Sequence, residues 1–93
     1  ECVACHVKGD SMYDRIYPGA LLYVAHQPDP TEIDYGQIYL VVTRKGNRVL
    51  KYVRTIPGDN SRVMLCSHNK VKYDDWPVLI SDIISLFLVK AYT

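Results

Sequence analysis

The chain has 93 residues, 48% of them apolar, and a formal net charge of +1, which predicts one globular domain and argues against an extended basic surface for nucleic acid. No apolar run reaches the roughly 20 residues that a membrane-spanning helix needs, so we expect no membrane association. Three cysteines, an odd number, favour reduced thiols in a cytoplasm over a disulfide framework.

Short runs of tyrosine and β-branched residues, interrupted by turn residues, predict a mostly β fold. The clearest hairpin joins residues 37–43 to Arg48–Ile56 across Lys45-Gly46-Asn47, and residues 57–60 form a strong turn. Other strands are expected at residues 2–7, 20–25, 62–67 and 83–92. A short helical turn is expected at residues 11–15, and residues 26–36 and 68–77 are expected to be irregular. With no repeat or composition shift, residues 1–93 are predicted to form a single domain.

Ser11 is the first candidate functional residue. Gly9-Asp10-Ser11-Met12 lies where a predicted strand gives way to the helical turn. Backbone N–H groups at such a start lack intrahelical partners, so those of Ser11 and Met12 can stabilise an oxyanion formed beside the serine. Alone, the tetrapeptide more often marks a helix cap or a turn.

Lys51 is the second candidate functional residue, because a serine nucleophile needs a base. It lies in a predicted strand, and alternation places it on the same apolar face as Val49 and Val53. Burial disfavours an ammonium and lowers its pKa, and a neutral lysine can deprotonate a serine hydroxyl. A lysine reaching solvent from a strand edge is the alternative for Lys51 taken alone. Together the two residues predict a Ser–Lys dyad, with Ser11 as nucleophile and Lys51 as general base.

Five segments resemble, in chain order, the motifs of LexA-like and UmuD-like peptidases. The nucleophile motif matches residues 7–12, and the base-bearing strand matches residues 49–54; Ser11 and Lys51 are 40 positions apart. Three further family segments match residues 17–24, 36–42 and 65–69. Ala20 and Tyr52 depart from the family pattern, which commonly has Asp at the first position and Arg or Lys at the second. The resemblance implies a bent, partly open β-sheet assembly and a serine peptidase that uses no cofactor.

The resemblance also implies a biological setting. It makes the chain the C-terminal peptidase and dimerisation domain of a cytoplasmic transcriptional repressor, of prophage or SOS-response type, which cleaves its own linker. We expect the scissile small-residue–Gly bond and a DNA-binding domain to precede Glu1. A RecA-type filament is the expected trigger. A homodimer is expected through Ile83–Tyr92, an apolar run with few charges that is typical of an edge strand.

Three alternatives remain open at this point. The chain can belong to a UmuD-like accessory subunit of a translesion polymerase, which would have a short N-terminal arm. It can be a dimerisation module whose peptidase is silent. Less in keeping with the sequence, it can be a signal-peptidase-like enzyme acting on other proteins, which would need a membrane anchor upstream.

The cysteines raise two competing interpretations. Residues 2–6 match C-x-x-C-H, the attachment motif for c-type haem, but strand alternation places Cys2 and Cys5 on opposite faces. Zinc would need Cys2, Cys5, Cys66 and His68 together, and Cys66-Ser67-His68 is not a familiar ligand spacing. We therefore predict no metal and no cofactor, with the thiols packed as small apolar groups.

Overall fold

A computed structural model describes residues 2–93, most of which form one antiparallel sheet. Its seven strands are β1 (Cys2–His6), β2 (Leu21–His26), β3 (Ile38–Thr43), β4 (Arg48–Ile56), β5 (Asp59–Cys66), β6 (Trp76–Leu79) and β7 (Ile83–Tyr92). Across the sheet they lie in the order β1-β2-β7-β3-β4-β5-β6. Two 3₁₀ turns, Pro30–Glu32 and Ile80–Asp82, are the helical elements of the described residues, and neither is long enough to cross a membrane. The mostly β prediction is confirmed.

Several local predictions are wrong, among them the turn expected at residues 57–60, of which Asp59 and Asn60 belong to β5. Strand β6 was not expected, because it has four residues and contains Pro77; it lies at the sheet edge, where a proline removes no needed hydrogen bond. The helical turn expected at residues 11–15 is instead a series of hydrogen-bonded turns. In it, the Tyr13 amide donates to the Asp10 carbonyl and the Ile16 amide to the Met12 carbonyl.

The sheet curls strongly, which brings distant strands together. Four strand spacings separate β1 from β4, or about 19 Å in a flat sheet, yet Cys5 and Leu50 line one cavity. Apolar side chains pack on both faces in two clusters. One contains Leu50 and Tyr52; the other contains Val53, with Val49 packed against it. Alternation along β4 therefore places Lys51 on the Val49 and Val53 face, as predicted.

The position of β7 corrects one expectation. This strand pairs with β2 on one side and β3 on the other, so it lies inside the sheet and is not an edge strand. Pairing with β3 extends only to Leu88, while pairing with β2 extends from Phe87 to Tyr92. The last four residues of β7 are thus paired on one side. The homodimer itself stays a prediction.

Candidate active site

The turn that carries Ser11 is anchored on strand β4. Gly9 begins the turn with a φ of +79°, a conformation that favours glycine. Met12, only 1% exposed, anchors the turn in the core. The half-buried Ser11 hydroxyl donates to the Leu50 carbonyl at 3.1 Å, so the serine lies against the residue that precedes Lys51.

Lys51 is almost completely buried. It is 4% exposed, and its Nζ donates to the Ser67 hydroxyl at 2.5 Å. The Tyr73 ring centroid lies 4.9 Å from the same nitrogen. Burial lowers the pKa of Lys51 below its ordinary value, and the negative charge of Asp75 offsets part of this effect. Such a lysine gives up its proton more readily than one in water.

Ser11 therefore contacts Leu50, the residue that precedes Lys51 in β4. Ser11 is bound to the Leu50 carbonyl, whereas Lys51 is bound to Ser67, so their hydrogen bonds go to different partners. In residues 2–93, hydrogen bonds of the serine turn use the carbonyls of Asp10, Ser11 and Met12 but not the amides of Ser11 and Met12. Those two amides are the oxyanion donors expected from the sequence.

Residues 67–75, the loop after β5, make contacts with the serine turn and Lys51 that the sequence did not predict. Asn69 donates from its amide to the Ser11 carbonyl at 2.9 Å and from Nδ2 to the Asp10 carbonyl at 3.1 Å. The family segment that residues 65–69 resemble contains Ser67 and Asn69, but no role was predicted for them from the sequence. For Tyr73 no sequence signal existed, because its contacts depend on the path of an irregular segment.

Tyr52, which replaces the basic residue common in the family, holds a second polar cluster together. Its hydroxyl accepts from Arg15 Nη1 at 2.9 Å and lies 3.0 Å from His68 Nδ1. The guanidinium of Arg54 lies 5.2 Å from its ring centroid. Positive charge is thus retained around this position, and the end of the serine turn is tied to β4.

An apolar cavity of about 370 Å³ is lined in part by Leu50, the residue that Ser11 contacts. Its lining is mostly apolar, with basic side chains also present: Cys5, His6, Val7, Lys8, Leu22, Leu40, Arg48 and Leu50. Leu50 belongs both to this lining and to the hydrogen bond with Ser11. The cavity is large enough to bury an apolar side chain.

The cysteines are free thiols in three environments. Cys2 is exposed, Cys5 is half-buried and Cys66 is buried. Burial raises the pKa of the Cys66 thiol, so this group packs as a small protonated side chain. Among residues 2–93, no three His, Cys, Asp or Glu side chains are grouped in a way that would hold a metal ion.

The curled all-β domain thus brings the serine turn to the strand that contains the buried lysine. The family model described as Peptidase S24-like matches residues 1–86. The chain belongs to this family, the LexA- and UmuD-like one that its motifs indicated. The matched range includes both Ser11 and Lys51. No match was found among curated proteins or among solved structures.

Proposed function

We propose that the chain is the Ser–Lys peptidase domain of a self-cleaving protein, with Ser11 as nucleophile and Lys51 as general base. One observation carries this proposal. A buried lysine, whose pKa burial lowers, directly follows the residue whose carbonyl binds the serine hydroxyl. A lysine held only for stability would place its ammonium in water, because burying a charge is costly.

The chemistry follows from these positions. The Ser11 hydroxyl leaves the Leu50 carbonyl and passes its proton to neutral Lys51 as its oxygen attacks the scissile carbonyl. The amides of Ser11 and Met12 stabilise the oxyanion. Lys51 then donates the proton to the departing amine, which leaves an acyl-enzyme on Ser11. Lys51 next removes a proton from the water that hydrolyses this ester and returns it to Ser11 Oγ as the new carboxyl group is released.

The substrate in this proposal is the parent protein's own linker, upstream of Glu1. The parent is a cytoplasmic repressor that dimerises through this domain, binds DNA through a separate N-terminal domain and is triggered by a RecA-type filament. Cleavage separates two linked DNA-binding units and so removes the advantage of binding two half-sites together. A UmuD-like polymerase subunit would use the same dyad on a short N-terminal arm, and the residues before Glu1 distinguish the two.

A dimerisation module with a silent peptidase is the second candidate function. It is favoured by the separate hydrogen bonds of Ser11 and Lys51, which leave the proposed nucleophile and base engaged with other groups.

The test follows the intact mass of the parent protein over time at mildly alkaline pH, where Lys51 is more often neutral. The variants are Ser11→Ala, Lys51→Ala and, as a control, Lys45→Ala in the exposed turn between β3 and β4. We expect cleavage in the wild type and in Lys45→Ala, and none in the other two. Continued cleavage in Ser11→Ala would overturn the dyad. A wild type that stays intact even with a RecA filament would favour the silent module.

A further inference from the structure

Tyr73 contacts the surroundings of both proposed catalytic residues. Its hydroxyl donates to Asp10 Oδ1 at 2.5 Å, and Asp10 directly precedes Ser11. The aromatic ring of Tyr73 makes the second contact, since its centroid lies 4.9 Å from Lys51 Nζ. One side chain of the loop after β5 thus reaches the serine turn and the buried ammonium together.

The protonation states of Asp10 and Tyr73 favour the hydrogen bond between them. The hydrogen bond from Tyr73 and the pairing with Lys72, at 2.9 Å, lower the pKa of Asp10, so the carboxylate is ionised and accepts strongly. The same hydrogen bond raises the pKa of Tyr73, so its hydroxyl remains a donor over the whole range in which a lysine base works. The link between Tyr73 and the serine turn is therefore a charge-assisted hydrogen bond.

We propose that Tyr73 is a positioning residue for the Ser–Lys pair: its hydroxyl holds the Ser11 turn through Asp10, and its ring keeps water away from Lys51. This inference rests on the proposed peptidase function, which gives the positioning of Ser11 and Lys51 its purpose. Its two parts predict different effects. Losing the hydroxyl loosens the serine turn and leaves the environment of Lys51 unchanged, whereas losing the ring exposes Lys51 to water.

The direction in which the pKa of Lys51 changes when the ring is removed shows whether the ring mainly excludes water or mainly attracts the ammonium. The groups that face Lys51 are Cys66 at the end of β5, and Ser67, Tyr73 and Asp75 in the loop. If the ring mainly excludes water, removing it raises the pKa of Lys51. If the ring mainly attracts the ammonium through its π face, removing it lowers that pKa.

The experiment compares Tyr73→Phe, which keeps the ring, with Tyr73→Leu, which loses both contacts. Tyr35→Phe and Tyr35→Leu are matched controls, because Tyr35 is an exposed loop tyrosine. Lys51 is titrated by side-chain NMR in this chain, amide exchange is followed at Tyr13 and Asn69, whose amides donate to the Asp10 and Ser11 carbonyls, and self-cleavage of the parent protein is measured against pH.

We expect Tyr73→Phe to leave the Lys51 titration midpoint unchanged, to speed amide exchange at Tyr13 and Asn69, and to slow cleavage at every pH on the order of tenfold. For Tyr73→Leu we expect, in addition, that the Lys51 midpoint rises by roughly one pH unit. The pH at which cleavage begins to increase should rise with it. The Tyr35 variants should match the wild type in all three measurements.

Two results would overturn the inference. One is a Tyr73→Leu protein that stays folded with its Lys51 midpoint unchanged or lowered. The other is a Tyr73→Phe protein with wild-type exchange and cleavage. The NMR measurements need no peptidase activity. If the wild type does not cleave while both NMR effects occur, the proposed function fails and the positioning of Ser11 and Lys51 by Tyr73 still holds.

Discussion

Replacing Ser67 by alanine tests how much of the site depends on the buried lysine. The Ser67 hydroxyl is fully buried and accepts a 2.5 Å hydrogen bond from Lys51, which is 4% exposed. Ser67→Ala leaves a buried ammonium without this acceptor, and hydrogen bonds to charged groups contribute about 1.5–3 kcal/mol. We expect the free energy of unfolding at neutral pH to fall by that amount, a large part of the roughly 5–15 kcal/mol typical of a domain.

The loss should depend on pH with a definite sign. Burial lowers the folded-state pKa of Lys51 below the unfolded value of 10.5. Below the folded pKa, Lys51 is charged in both states and the full cost of Ser67→Ala is present. As pH rises through the folded pKa the amine becomes neutral, and the cost falls towards that of an ordinary hydrogen bond, about 1 kcal/mol. The substitution removes an acceptor that favours the ammonium, so it also lowers the pKa of Lys51 further.

Urea unfolding of Ser67→Ala, Lys51→Met and the double variant measures this interaction directly. In the Lys51→Met background no buried ammonium is left, so Ser67→Ala should cost no more than about 0.5 kcal/mol, which gives a coupling energy of about 1–2.5 kcal/mol. Ser85→Ala, at a half-buried position of β7, is the control. Additive costs in the double variant, or a cost of Ser67→Ala that does not change with pH, would refute the reasoning.

Two stability predictions concern strands away from the site. Thr43 is 3% exposed, and its hydroxyl has no hydrogen-bond partner in residues 2–93. Thr43→Val should therefore stabilise the protein by about 1 kcal/mol in urea unfolding. The same change at the exposed Thr55 should stay within about 0.5 kcal/mol, and equal effects at both positions would contradict this account. Gly58 turns β4 into β5 with a φ of +77°, and no atom lies within 4 Å of an added Cβ. Gly58→Ala should lower thermal stability by about 1–2 kcal/mol through backbone strain alone, and an unchanged melting temperature would show that the turn can relax.

Sequence patterns predicted the structure correctly where local interactions determine it. Strands β4 and β7 have their predicted bounds, because alternating apolar residues bounded by turn residues determine where such strands begin and end. The neighbours of β7 were not predictable in this way. Its pairing with β2 and β3 joins residues 40 or more positions apart. An apolar run has the same sequence pattern inside a sheet as at its edge.

The same difference between local and long-range interactions decides which residues of the candidate site were predictable. Ser11 and Lys51 could be singled out because a catalytic serine needs a base, and a lysine on an apolar face has the required chemistry. Ser67, Asn69 and Tyr73 could not, because they lie in or next to an irregular segment whose path is set by side-chain contacts. These contacts, to Lys51, Ser11 and Asp10, exist only once the sheet has curled.

The hydrogen bonds of Ser11 and Lys51 bear on the choice between an active and a silent peptidase. For proton transfer, the serine hydroxyl must leave the Leu50 carbonyl and neutral Lys51 must turn from Ser67. Each ordinary hydrogen bond contributes about 1 kcal/mol net, so both movements together cost about 2 kcal/mol, or roughly a 30-fold reduction in the reactive population. Enzymes lower barriers by about 8 kcal/mol or more, so the separate hydrogen bonds slow the reaction but do not prevent it. They are weak support for a silent peptidase, whereas the burial of Lys51 has no comparable explanation in stability.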